Sequence, residues 1–121
     1  MTSPDTSFAR CDRTPAWQAL GRHHAAQGAA FDLREAFARD PQRFHRFSQR
    51  APHVLADLSK NLLDAATEDL LLQLARQCGL AAQRDAMFAG RSINHTEDRA
   101  VLHTLLRQPR HGAVPPQLVG A

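Results

Sequence analysis

Apolar residues recur along this chain at three- and four-residue intervals, in runs separated by residues that start or stop helices. Thr14-Pro15 reads as an N-cap followed by an N1 proline, where the missing N–H costs nothing. Trp17, Leu20 and His24 then share a face as far as Gly28, with Trp17 read as a core anchor. Leu33, Ala36 and Phe37 keep the same spacing, and Asp40-Pro41 resets the chain. Asp40 is placed to cap a helix in which Phe44 and Phe47 face the core, while Arg43, His45, Arg46 and Arg50 cover its solvated side. Thr67-Glu68-Asp69 opens a strong helix carrying Leu70, Leu71, Leu74, Ala75 and Cys78, and Gly79 supplies its left-handed stop. Leu80, Met87 and Phe88 mark a shorter helix ending at Gly90.

The most sharply signalled helix runs from Asn94 to Arg107. Asn94 and Glu97 have the spacing of a capping box, and Thr96 is a rival cap. Acids at positions 97 and 98 with Arg107 at the far end complement the helix dipole. Val101, Leu102, Leu105 and Leu106 form its apolar stripe; Arg99, His103 and Arg107 form a polar row. Only between Ala51 and Ser59 does the pattern turn strand-like, where Val54, Ala56 and Leu58 alternate with their neighbours after the breaker Pro52. A lone strand needs a partner, so it either pairs locally as a small hairpin or needs strands that this chain does not supply. The fold class is therefore mainly α, with about five helices and at most a short β-hairpin. The organisation expected is a flexible N-terminus over 1–13, a helical segment over 14–107 and an irregular tail over 108–121, where Pro115, Pro116, Gly112 and Gly120 interrupt every element.

Composition narrows the class. At 121 residues the chain has room for one domain burying roughly two-thirds of its unfolded surface. A net charge of +3 is spread among alternating acids and bases without a run of five like charges, which argues against nucleic acid as a partner. No apolar stretch approaches the ~20 residues of a membrane span, and residues 1–13 lack the apolar core of a secretory signal. Cys11 and Cys78 accordingly read as reduced thiols of a cytoplasmic protein.

Chemistry is hard to find. The chain has no His-Glu-x-x-His, Cys-x-x-Cys, Gly-x-Ser-x-Gly, Walker or Gly-x-Gly-x-x-Gly motif, so no metal or cofactor is expected. His95 and His103 stand eight apart, with no further ligand at metal spacing. Glu97 and His103 could be imagined as an acid/base pair, but on a helix six residues leave their directions about 120° apart and more than one and a half turns distant.

Function enters through a resemblance. Ala16-Trp17-Gln18-Ala19-Leu20, Arg43-Phe44, Phe47-Ser48, Asp57 with Ser59-Lys60-Asn61, Met87-Phe88, Ile93-Asn94, Thr96-Glu97 and above all Arg99-Ala100-Val101-Leu102-His103 follow one another in the order seen in glucose-6-phosphate isomerases. The chain resembles the N-terminal segment of that family. Such a resemblance implies a piece of an aldose-ketose isomerase of glycolysis and gluconeogenesis, which interconverts glucose 6-phosphate and fructose 6-phosphate. It also implies the helical N-terminal part of a three-layer α/β sugar-isomerase sandwich, packed against downstream subdomains and completed by a second subunit. The family's catalytic groups and sugar-phosphate loops lie downstream of the matched residues. No catalytic, cofactor or metal residue is therefore assigned here, and the chain alone is expected to be inactive. The alternative is an independent helical module binding a partner protein or nucleic acid.

Overall fold

The computed structural model describes residues 9–94 and 96–107. The expectations for 1–8 and for the tail over 108–121 lie outside the described residues, as does His95. Among the described residues five α-helices and two small antiparallel hairpins make the fold mainly α, as the helical periodicity predicts. They divide between two compact units, Ala9–Gln77 and one that includes the described residues from Cys78 onward.

In the first unit a 3-10 turn, Cys11–Arg13, leads into α1, Pro15–Ala26. Thr14 caps α1 as expected: its hydroxyl accepts from the Trp17 N–H at 3.2 Å and donates to the Cys11 carbonyl at 2.8 Å. Helix α2 spans Leu33–Arg39, capped by Asp32, whose carboxylate accepts from the N–H groups of Arg34 and Glu35. Helix α3 is a single turn, Arg43–Arg46. Asp40 does act just before it, accepting from the Gln42 N–H at 3.0 Å and pairing with Arg46. So short a helix turns only one phenylalanine inward. Phe47 is 3% exposed, whereas Phe44 remains 41% exposed.

The strand signal resolves into a hairpin. Strand β1, Ser48–Ala51, pairs antiparallel with β2, Val54–Asp57, from Ser48↔Asp57 to Ala51↔Val54. Its partner strand comes from residues just upstream of Pro52. The two-residue turn places proline first and His53, at φ 65°, second. Asp57 then pins the exit, accepting from both the N–H (2.9 Å) and the hydroxyl (2.6 Å) of Ser59. Those two bonds draw its carboxyl below the ordinary range.

Arg43 holds this unit together, where the sequence suggested a solvated basic strip. It is 3% exposed and touches no carboxylate among the described residues. Nε donates to the Ser59 carbonyl (2.7 Å), and one terminal nitrogen donates to the carbonyls of Asn61 (3.0 Å) and Leu63 (2.7 Å). Its guanidinium also lies 4.7 Å from the ring centre of Phe47, 5.5 Å from Phe31 and 5.6 Å from Phe37. A rigid fork of donors plus three aromatic faces lets a charge be buried without a counter-ion. The irregular stretch 59–63 owes its shape to this contact.

Helix α4 covers Ala65–Gln77. It begins two residues before the expected opener because Asp64 is the cap: its carboxylate accepts from the N–H (2.7 Å) and the hydroxyl (2.6 Å) of Thr67. Thr67 occupies the third helical position.

In the second unit Gly79, at φ 68°, makes the left-handed break before α5, Leu80–Phe88. Gly90, at φ 69°, ends α5, with the Arg91 N–H donating to Ala86 and the Gly90 N–H to Met87, which is a Schellman closure.

The helix expected over Asn94–Arg107 is absent, and this is the main correction. Strand β3, Ser92–Asn94, pairs with β4, Arg99–Ala100, across a bulge, and only Leu105–Arg107 form a 3-10 turn. The capping chemistry is present but closes a turn. Asn94 Oδ1 accepts from the N–H and hydroxyl of Thr96, and its amide donates to Glu97. Asp98 takes φ 48°, a conformation aspartate tolerates and a helix forbids, and it accepts from the Ser92 hydroxyl across the hairpin. Without a helix the stripe of Val101, Leu102, Leu105 and Leu106 does not form, and Leu106 is 87% exposed.

Candidate functional site

The feature most like a site lies between α1 and α4. The Ala16 N–H donates to the Gln77 side chain at 2.9 Å, and His23 meets Asp64 and Thr67 at 3.2 and 3.1 Å. The start of one helix is thereby tied to the end of the other, so they run antiparallel. Between the two ties is a cavity of about 410 Å³ lined mainly by Trp17, Leu20, Gly21, His24, Leu62 and Leu71. Trp17, expected to be a core anchor, forms its wall and is 46% exposed. The core of this unit instead rests on Ala16, Phe47 and Leu63 with Arg43.

Three of the polar groups here resemble a catalytic constellation, and their hydrogen bonds show otherwise. The Thr67 hydroxyl spends its proton on Asp64, so His23 Nε2 faces two acceptors and must be the donor. That nitrogen cannot act as a base toward Thr67. Asp64 Oδ1 receives three donors. Burial pushes its carboxyl up, but the bonds from Thr67 and His23 outweigh burial, and the net shift is downward. The cluster is a helix cap with a cross-helix tie.

A group whose folded pKa is depressed stabilises the fold above its unfolded pKa. That contribution is lost as pH falls through the folded value. Asp64→Asn should thus flatten the acid limb of a stability-versus-pH curve measured by urea unfolding between neutral and strongly acidic pH. Asp64→Ala, which also removes the cap, should cost about 1–2 kcal/mol at neutral pH.

The sequence candidates do not converge. Glu97 is held by Arg99 and Asn94 on an exposed turn, and His103 lies exposed beyond the second hairpin. Among the described residues no group of three or more His, Cys, Asp or Glu side chains is placed to hold a metal ion. No described helix is long and apolar enough to cross a membrane. Sequence reasoning missed Asp64 and Arg43. Asp64-x-x-Thr67 was a readable cap signal, whereas nothing local marks Arg43 as buried.

Comparison with known proteins decides the family. A family model described as Phosphoglucose isomerase matches residues 57–116. The glucose-6-phosphate isomerase of Polaromonas naphthalenivorans is 69% identical over 100 residues, which is 83% of this chain and 19% of that protein. The chain belongs to the phosphoglucose isomerase family. The glucose-6-phosphate isomerase of Albidiferax ferrireducens is 65% identical over 111 residues, 91% of this chain and 21% of that protein. For that of Mycolicibacterium vanbaalenii the figures are 54% over 101 residues, 84% and 18%. The chain spans about a fifth of the length of these curated relatives. Within the family, then, these residues correspond to a segment whose described side chains present packing surfaces and caps.

Proposed function

We propose that the chain is the N-terminal helical segment of an aldose-ketose isomerase that interconverts glucose 6-phosphate and fructose 6-phosphate. In this reading the segment supplies scaffold to a cytoplasmic, dimeric enzyme, and the acid/base groups and sugar-phosphate contacts come from polypeptide outside it. The observation that carries the reading is 69% identity over 83% of the chain to a glucose-6-phosphate isomerase. Two features of the chain support a scaffold role. The His23–Asp64–Thr67 cluster is already committed to internal hydrogen bonds. Glu97 is likewise engaged by Arg99. Proton transfer through an enediol requires a base within hydrogen-bond reach of the sugar carbon, free to accept. Purified chain, freed of host isomerase, should give no conversion of fructose 6-phosphate above background in a coupled dehydrogenase assay. Turnover that co-purifies with the chain would overturn the scaffold assignment.

A further inference from the structure

Helix α1 carries a glycine that neither its backbone nor its neighbours require. Gly21 lies in mid-helix, within Pro15–Ala26, where glycine is among the poorest helix formers. Among the described residues the glycines that adopt left-handed backbone are Gly79 and Gly90. A Cβ added at Gly21 would meet no atom within 4 Å beyond the adjacent residues and backbone of its own helix, so no other described neighbour presses on it. By contrast, one added at Gly28 would come within 2.9 Å of the His24 ring.

Gly21 opens onto the α1–α4 cavity, beside Trp17, Leu62 and Leu71. Leu62 is 65% exposed and Leu71 44%. The ties at Ala16–Gln77 and His23–Asp64 hold the two helices at fixed spacing, so the groove is preformed. An absent side chain at the centre of a preformed apolar groove lets another backbone or side chain come close to the helix. The matched segment is only 19% of the Polaromonas naphthalenivorans enzyme, so about four-fifths of that protein is available to fill it.

Resting on the isomerase reading above, we propose that the α1–α4 groove is a socket for an apolar side chain from the part of the isomerase outside this segment. Gly21 is the point of closest approach.

The test uses the Polaromonas naphthalenivorans enzyme with this chain in place of its matching segment, with and without Gly21→Leu, beside the 121-residue chain carrying the same change. In the chain alone Gly21→Leu should leave helix content and melting temperature unchanged or raised, since leucine is the better helix former and the space is open. In the chimera it should lower the melting temperature by several degrees and reduce activity about tenfold or more. Gly21→Ala should fall between. A substituted chimera that melts and turns over like the unsubstituted one overturns the proposal. So does a substituted chain that loses helix by itself, because the groove would then be filled internally. A change confined to the oligomeric state of the chain alone, with the chimera untouched, assigns the groove to a second copy and also overturns it. An unsubstituted chimera that folds without activity contradicts the isomerase reading instead, and the melting comparison still decides the socket.

Discussion

Replacing Arg43 with methionine should destabilise the Ala9–Gln77 unit by about 3–5 kcal/mol, more than one orphaned acceptor costs, because three carbonyls lose their donor at once. Methionine keeps much of the length and apolar character of the stem but donates nothing. The carbonyls of Ser59, Asn61 and Leu63 would lose their guanidinium donors, and an orphaned buried group costs about 1–3 kcal/mol. Three such losses do not add fully, because stretch 59–63 can relax toward water. Arg43→Lys should recover only part of the loss, since one ammonium cannot span acceptors arranged for a planar fork. With total stabilities of about 5–15 kcal/mol for small domains, the methionine variant should show a greatly lowered urea midpoint by far-ultraviolet circular dichroism. A midpoint near that of the unsubstituted chain would mean that the carbonyls find other donors at no cost.

Phe47→Ala should be comparably damaging, by about 3–5 kcal/mol, the usual range for truncating a buried phenylalanine. Phe47 is 3% exposed, and it is the nearest of the three rings to the Arg43 guanidinium. It also bridges two elements: its N–H closes α3 on the Arg43 carbonyl, and its own carbonyl accepts from the Leu58 N–H, extending the hairpin ladder. Alanine preserves those backbone bonds, so the loss should be one of packing and cation–π contact. The two substitutions share one cluster, and combining Phe47→Ala with Arg43→Met should cost less than the sum of the two. Strict additivity in that cycle would show the ring and the guanidinium to be energetically independent.

What could be read from the sequence was what local chemistry decides. The Thr14-Pro15 start of α1 and the glycine stops at 79 and 90 each depend on residues within a turn of one another, and all three are observed. Arg43 escaped because its acceptors lie 16 to 20 residues downstream, on a stretch with no periodicity of its own. Asn94 to Arg107 misled for a different reason. An Asn followed by Thr, Glu and Asp satisfies a helix cap and an Asx turn equally well, and spacing alone does not reveal whether Asp98 will take positive φ. Trp17 and Gly21 share a face of α1 that periodicity marks as inward. Only the antiparallel pairing with α4 shows that this face borders an unfilled groove.

Membership of the family does not by itself make this chain a working segment of an isomerase. The activity of the unsubstituted chimera, the Polaromonas naphthalenivorans enzyme carrying this chain in place of its own matching segment, tests it most directly. If this chain is a working segment of the isomerase, the chimera should interconvert glucose 6-phosphate and fructose 6-phosphate with kcat/KM within about tenfold of the parent, less than about 1.4 kcal/mol of barrier. A chimera that folds as cooperatively as the parent yet has lost its activity would contradict the account.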